Sequence, residues 1–226
     1  SIVSSSKISA LSPFAGSPVS IDFITNERWS ELYYHSPKIR FTVDAIRNMM
    51  EYHKGREESN SSFLIYCEVG LNILPYFKEA LEQICGFKRR ISLTDNEDDD
   101  KDIFDEVEII EGTAESDAQA NRRDKVQTLF NLGKVKVIIG TSTIKEGLNL
   151  QTNCATLFIL TPSWNSTDIN QVEGRIHRQG NKYGYARVIT PVVARSMDSF
   201  IYQKYDEKKS RIADIWVRDG KGDTED

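Results

Sequence analysis

The stretch VKVIIGTSTIKEGLN (135–149) contains the clearest strand signal in the chain. It opens with a run of apolar, mostly β-branched residues, and Gly140 follows directly at the end of that run. Four further apolar runs have the same character: FLIYC (63–67), VEII (107–110), TLFIL (156–160) and ARVIT (186–190). Because the runs do not alternate in polarity and helical patterns separate them, we predict an α/β fold with a parallel sheet covered by helices on both faces.

Helical periodicity predicts five helices around these strands. They begin near Pro37, near Leu71, near Ser116, at Ser166 or Thr167, and near Met197, and the last extends to about Trp216. Residues 1–20 are rich in serine and show no periodicity. We therefore predict an N-terminal arm or linker (1–35), one α/β domain (36–195) and a C-terminal helix and tail (196–226).

The stretch QVEGRIHRQGN (171–181) predicts a helix with two different faces. Gln171, Arg175 and Arg178 lie at positions i, i+4 and i+7, whereas Val172 and Ile176 share another face. A glycine inside a helix costs roughly 1 kcal/mol relative to alanine, so we expect a close approach at Gly174. The pattern predicts guanidinium groups presented to a ligand, with a solvated arginine face as the alternative.

The net charge of the chain is dominated by one segment. The chain has 34 acidic and 29 basic residues, a formal net charge of −5. The segment 95–106 has eight acidic residues and one lysine, so the rest of the chain carries a formal charge of about +2. The overall acidity therefore does not exclude a nucleic-acid partner.

The three cysteines indicate a reducing, intracellular compartment. Cys67, Cys85 and Cys154 are too widely spaced for a zinc site and too few for a disulfide framework, so we also predict no metal site. No apolar run reaches the length of a membrane span, and residues 1–20 lack the pattern of a signal peptide.

Two signatures of nucleotide hydrolysis are missing from the sequence. No phosphate-binding loop of the form GxxxxGKS or GxxxxGKT occurs in the 226 residues. The tetrapeptide DEVE (105–108) contains an Asp-Glu pair, but a magnesium-binding pair follows an apolar strand, whereas DEVE leads into one. We interpret DEVE as part of a solvated acidic loop (95–106), and we do not expect these residues alone to hydrolyse ATP.

The pattern QxxGRxxR, formed by Gln171, Gly174, Arg175 and Arg178, resembles motif VI of superfamily 2 helicases. Upstream, GTSTIKEGLNLQ (140–151) resembles motif V, and Trp164-Asn165 resembles the Trp-Asn pair of the Swi/Snf-type branch. Three further segments are similar to parts of that branch. SPKIRFTVDAI (36–46) resembles the first helix of the second lobe, and FLIYC resembles the motif IV strand. EGTAESDAQANRRDKVQTLFN (111–131) resembles the segment in which a glycine precedes an arginine-bearing helix. The resemblance implies a C-terminal, RecA-like lobe with the last helix as a brace.

The resemblance also implies a role for each motif residue toward ATP. Arg175 and Arg178 would be arginine fingers, and Gln171 would lie beside the γ-phosphate. Gly147, Asn149 and Gly174 would line the ATP-binding side of the cleft between two lobes. ATP and Mg²⁺ would be bound mainly by a first lobe, which the resemblance implies as a partner in cis.

A second set of residues is implied in nucleic-acid binding. Gly112, Thr113, Thr141 and Ser142 would contact the sugar-phosphate backbone of the tracked strand through amides and hydroxyls. Cys67, at the end of the motif IV strand, is a further candidate. Thr141 and Ser142 could instead cap a helix before Ile144.

These implications predict one lobe of an ATP-dependent translocase or helicase that acts on DNA, preferentially double-stranded, with no membrane partner. The residues QGN (179–181) stand where chromatin remodellers carry Ile-Gly-Gln, which favours a bacterial or phage-like protein in the cytoplasm, with the nucleus as the alternative. Two other functions stay open. The chain could be a lobe of an RNA-directed superfamily 2 helicase, or a non-catalytic RecA-like module whose acidic loop binds a basic partner.

Overall fold

The computed structural model describes residues 7, 10–15, 27–91, 103–112, 116–145, 147–163 and 166–219. For residues 166, 209 and 211–219 it describes the backbone alone. Thr113, the Trp164-Asn165 pair and the part of the predicted acidic loop up to residue 102 lie outside these residues.

The described residues form a five-stranded parallel sheet. Its strands are β1 (Ser62–Tyr66), β2 (Val107–Ile110), β3 (Val137–Gly140), β4 (Cys154–Ile159) and β5 (Arg187–Ile189), in the order β2-β3-β1-β4-β5. Each strand overlaps one of the predicted apolar runs, so the predicted α/β fold with a parallel sheet is confirmed. The order places β1 between β3 and β4, and the loops that follow these three strands are therefore neighbours.

Six α-helices surround the sheet in the described residues: α1 (Arg28–His35), α2 (Pro37–His53), α3 (Leu74–Cys85), α4 (Asp117–Asn131), α5 (Ser166–Glu173) and α6 (Met197–Asp219). Short 3-10 helices cover Glu57–Asn60, Leu71–Ile73 and Ser142–Lys145. Helix α4 begins with a capping box, in which Ser116 and Gln119 bond each other's backbone N–H groups.

The predicted N-terminal arm includes ordered, packed residues. Helix α1 lies within it, and Leu11, Phe14 and Leu32 are buried in one core with α2 and α3. Residues 1–20 are rich in serine, which is why the sequence favoured an arm or linker.

Alternate residues of each strand supply two separate cores. Phe63, Ile65 and Ile139 pack with α2 and α3 on one face. Leu64 and Ile138 pack with α4, α5 and the apolar residues of the segment that resembles motif V (140–151) on the other face. Both faces are covered, which explains why the strands read as continuously apolar.

The prediction of a solvated acidic loop is wrong at its described end. Asp105 pairs with Lys78 at 2.5 Å, and Glu108, which is 7% exposed, pairs with Arg122 at 3.2 Å. Burial alone would raise the pKa of Asp105, but the hydrogen bond and charge of Lys78 outweigh it and lower that pKa. These carboxylates fix the approach to β2, which no local pattern of charges could reveal.

Candidate nucleotide and nucleic-acid contact sites

The two arginines of QxxGRxxR lie beyond a helix rather than on one. Helix α5 ends at Glu173, and the residues from Gly174 to Arg178 continue as turns. The N–H of Arg175 donates to the carbonyl of Val172 at 3.0 Å, which is a tighter, three-residue bond than an α-helix makes. The prediction of one helix face carrying both arginines is therefore wrong, although α5 and its following turns still bring Val172 and Ile176 into the core.

Gly174 is the first residue after the end of α5. A Cβ at Gly174 would lie 3.1 Å from the carbonyl oxygen of Asn170 and 3.5 Å from that of Gln171. These are the contacts that any residue makes with the helical turn before it, so the close approach of another group to Gly174 stays a prediction.

Arg175 is fixed by backbone carbonyls of the motif V segment. Its guanidinium group donates to the carbonyls of Lys145 and Leu148. Its Nε is buried and has no hydrogen-bond partner among the described residues. Burial, and secondarily the charge of Arg178, lowers the pKa of Arg175. A partly desolvated guanidinium with an unused N–H is suited to an additional anionic or polar acceptor.

Arg178 is exposed and reaches the same segment from outside. It donates to the side-chain oxygen of Asn149 at 2.7 Å. Asn149 is itself held by α4, because its N–H donates to Gln127 Oε1 and its carbonyl accepts from the Asn131 side chain, both at 2.8 Å. Sequence reasoning missed Gln127 and Asn131, because polar residues on an amphipathic helix ordinarily indicate only a solvated face.

The other residues implied toward ATP lie on the same side of the sheet. Gly147 is exposed with a φ of +93°, and no atom of the residues that the structure describes lies within 4 Å of the position of its missing Cβ. Gln171 is exposed on the last turn of α5. The structure therefore brings Gly147, Asn149, Arg175 and Arg178 together, with Gln171 one turn before Arg175.

The residues implied in nucleic-acid binding meet at the carboxyl ends of β2 and β3. Ile110 of β2 pairs with Gly140 of β3, so Gly112 lies next to the start of the motif V segment. The hydroxyl of Thr143 joins the two by donating to the carbonyl of Gly112 at 2.8 Å. Gly112, with a φ of +69°, and Ser142 are both exposed. Thr143 was missed because its contact depends on strand order.

Two candidates of this set are corrected by burial. Thr141 is only 4% exposed, and its hydroxyl lies 3.3 Å from that of Thr143. The thiol of Cys67 is fully buried and donates to the carbonyl of Val69 at 3.3 Å, and burial raises its pKa to about 12. Neither side chain is placed to contact a phosphate. The alternative was that Thr141 and Ser142 cap a helix before Ile144. A helix does start at Ser142, but it is a short 3-10 helix, and the N–H of Ile144 donates to the backbone carbonyl of Thr141 and not to its hydroxyl.

Lys145 connects three segments of this edge. Its ammonium group lies 2.9 Å from Glu68, which follows β1, and 3.5 Å from Asp168 of α5. Its carbonyl accepts from Arg175. These contacts join residues that are far apart in the chain, so no local pattern in the sequence indicates them.

Comparisons with known proteins relate part of the chain to a family model and its fold to a solved structure. Residues 71–180 match the family model "Helicase conserved C-terminal domain". The fold is similar to that of a structure described as the C-terminal part of the Fun30 ATPase domain, with 18% identity and a TM-score of 0.55. That match covers 80% of this chain and 47% of the Fun30 chain, so the present chain corresponds to about half the length of that relative.

No curated protein matches the sequence. In the part of the chain that the structure describes, no helix is both long enough and apolar enough to cross a membrane.

Proposed function

We propose that this chain works as the second lobe of an ATP-dependent DNA translocase or helicase, because residues 71–180 match the helicase C-terminal family model and the fold is similar to the C-terminal part of the Fun30 ATPase domain. In this role it supplies Arg175 and Arg178 to ATP that a first lobe binds. The observation that carries the proposal is the attachment of both arginines to residues 145–149.

The geometry supports a division of work between the two arginines. Arg178 is exposed and holds its guanidinium toward solvent through Asn149, so it can reach an anion outside the lobe. Arg175 is anchored by two backbone carbonyls and retains its buried Nε–H, so it can act over a shorter distance. When bound, ATP with Mg²⁺ supplies the phosphoryl group whose negative charge such guanidinium groups stabilise.

The same segment provides a physical link to nucleic acid. The segment 140–151 begins beside Gly112 and the exposed Ser142 and continues to Leu148 and Asn149, which hold the arginines. A displacement of this segment by a bound backbone would therefore also shift the arginines. We propose that Gly112, Thr113 and Ser142 contact the sugar-phosphate backbone, and that this link couples tracking of the strand to ATP hydrolysis.

ATP hydrolysis by a protein that joins this chain to its first lobe tests the proposal. We expect double-stranded DNA to stimulate hydrolysis more than single-stranded DNA or RNA, and we expect the 226-residue chain alone to be inactive. Stimulation by RNA alone would instead identify an RNA-directed helicase lobe. The absence of ATP hydrolysis with every nucleic acid would contradict a translocase and favour a non-catalytic interaction module.

A further inference from the structure

A basic groove of about 530 Å³ lies where β2 and β3 begin. We call it the amino-edge groove; its lining residues are Lys88, Arg89, Arg90, Ile91, Glu106, Leu132, Gly133, Lys134 and Lys136. Five of these nine residues are cationic and one is acidic. This concentration of positive charge contrasts with the formal charge of −5 for the whole chain.

The groove is separate from the residues implied in strand tracking. Lys136 directly precedes β3, whereas Thr141 directly follows it. Five residues of extended chain span about 16 Å, so the two ends of β3 present different surfaces. None of the helicase-like motifs includes a residue of the groove.

The backbone that carries Lys88 and Arg90 is firmly held. The N–H of Lys88 donates to Glu106 Oε2 and the N–H of Arg90 donates to Asp105 Oδ1, both at 2.7 Å. Arg90 has a φ of +54°, a conformation that residues other than glycine adopt rarely. The chain therefore maintains an unfavourable backbone geometry at a position whose side chain points into the groove lining.

Glu106, which lines the groove, accepts a hydrogen bond from the N–H of Lys88, and two further carboxylates near the groove are engaged in ion pairs. Asp105 pairs with Lys78, and Glu82 pairs with Arg89 at 2.5 Å. Among the described residues, no carboxylate lies within ion-pair distance of Lys88, Arg90, Lys134 or Lys136. Lys136 is also half-buried, and burial lowers its pKa despite the charge of Glu106. Four of the five groove cations therefore have no ion-pair partner among the described residues, and such a cluster is a favourable site for an external polyanion.

We propose that the amino-edge groove binds the phosphodiester backbone of double-stranded DNA. An acidic protein segment is the less suitable occupant, because protein interfaces depend on apolar or aromatic anchors and are depleted in lysine. The groove offers only Leu132 and Ile91 as apolar contacts. Phosphate contacts need only positive charge at the surface and carry no sequence information.

The test is salt-dependent binding of the 226-residue chain to a 20-base-pair duplex, followed by fluorescence anisotropy without ATP. The variant Arg90→Gln/Lys134→Gln removes two exposed cations of the groove. If each contacts a phosphate, the slope of log K against log salt concentration becomes shallower by about 1.8, and the loss is the same for two unrelated duplex sequences.

The matched control is Arg40→Gln/Lys54→Gln, which removes two exposed cations outside the groove. Arg40 lies on α2, and Lys54 directly follows that helix. We expect its salt slope to equal that of the unmodified chain, and we expect all three proteins to have the same thermal unfolding midpoint. Equal slopes for the groove variant and the unmodified chain would overturn the proposal. Binding of a polyglutamate peptide to the groove, without binding of the duplex, would also overturn the proposal. Because the assay contains no ATP, its result is independent of whether the arginines of motif VI act in hydrolysis.

Discussion

At the scale of single residues, Lys38 and Asp198 form an ion pair that is almost completely buried. The ammonium group of Lys38 lies 2.5 Å from Asp198 Oδ2 and donates to the carbonyl of Leu160 at 2.7 Å. Both side chains are 1% exposed, and burial lowers the pKa of Lys38 although Asp198 opposes this. The pair joins the start of α2, the end of β4 and the first turn of α6.

We expect Lys38→Met to reduce the free energy of unfolding by about 3–5 kcal/mol, because it leaves the carboxylate of Asp198 buried without a counter-charge. The double variant Lys38→Met/Asp198→Leu should recover much of this loss. Lys204→Met, which removes the exposed partner of Glu207, serves as the control and should cost no more than about 1 kcal/mol. Urea unfolding measures all three, and equal costs for Lys38→Met and Lys204→Met would contradict this account.

At the scale of elements, the junction between β3 and the motif V segment depends on Gly140. A Cβ at this position would lie 1.9 Å from Cδ1 and 2.2 Å from Cγ1 of Ile144, which is fully buried. The chain folds back so closely over the end of the strand that only glycine fits. This contact sets where Ser142 and Lys145 stand relative to the sheet.

Gly140→Ala should therefore displace Ile144 and reduce the free energy of unfolding by about 1–3 kcal/mol. Removing the obstructing side chain as well, in Gly140→Ala/Ile144→Ala, should cost less than the sum of the two single variants. Chemical unfolding of the three variants measures this coupling. Strictly additive costs would show that the two residues do not compete for the same space.

Elements were more predictable than contacts between elements. The five strands follow from local, continuously apolar runs, and Ser116 is a local signal for the start of α4. The end of α5 before Arg175 was missed because one glycine in an otherwise periodic pattern does not by itself specify a stop. Contacts of Lys145 with Glu68, or of Asn149 with Gln127, depend on the order β2-β3-β1-β4-β5 and are invisible to any local pattern.

At the scale of the whole molecule, different surfaces of one sheet carry different chemistry. Gly112 and Ser142 are exposed where β2 and β3 end, whereas the amino-edge groove lies where these strands begin. Arg175 and Arg178 lie over the face that α4 and α5 cover, attached to the segment that follows β3. In the function proposed above, one continuous segment of about ten residues would contact both nucleic acid and nucleotide.

In the proposed function, Arg178, held by Asn149, completes an ATP site on another lobe. The most direct test is the turnover number for ATP in the protein that joins this chain to its first lobe, comparing Arg178→Ala with the control Arg40→Ala in the presence of double-stranded DNA. We predict that Arg178→Ala lowers the turnover number by about 10²–10³-fold while Arg40→Ala leaves it unchanged. A turnover number for Arg178→Ala equal to that of the unmodified protein would contradict this role of Arg178.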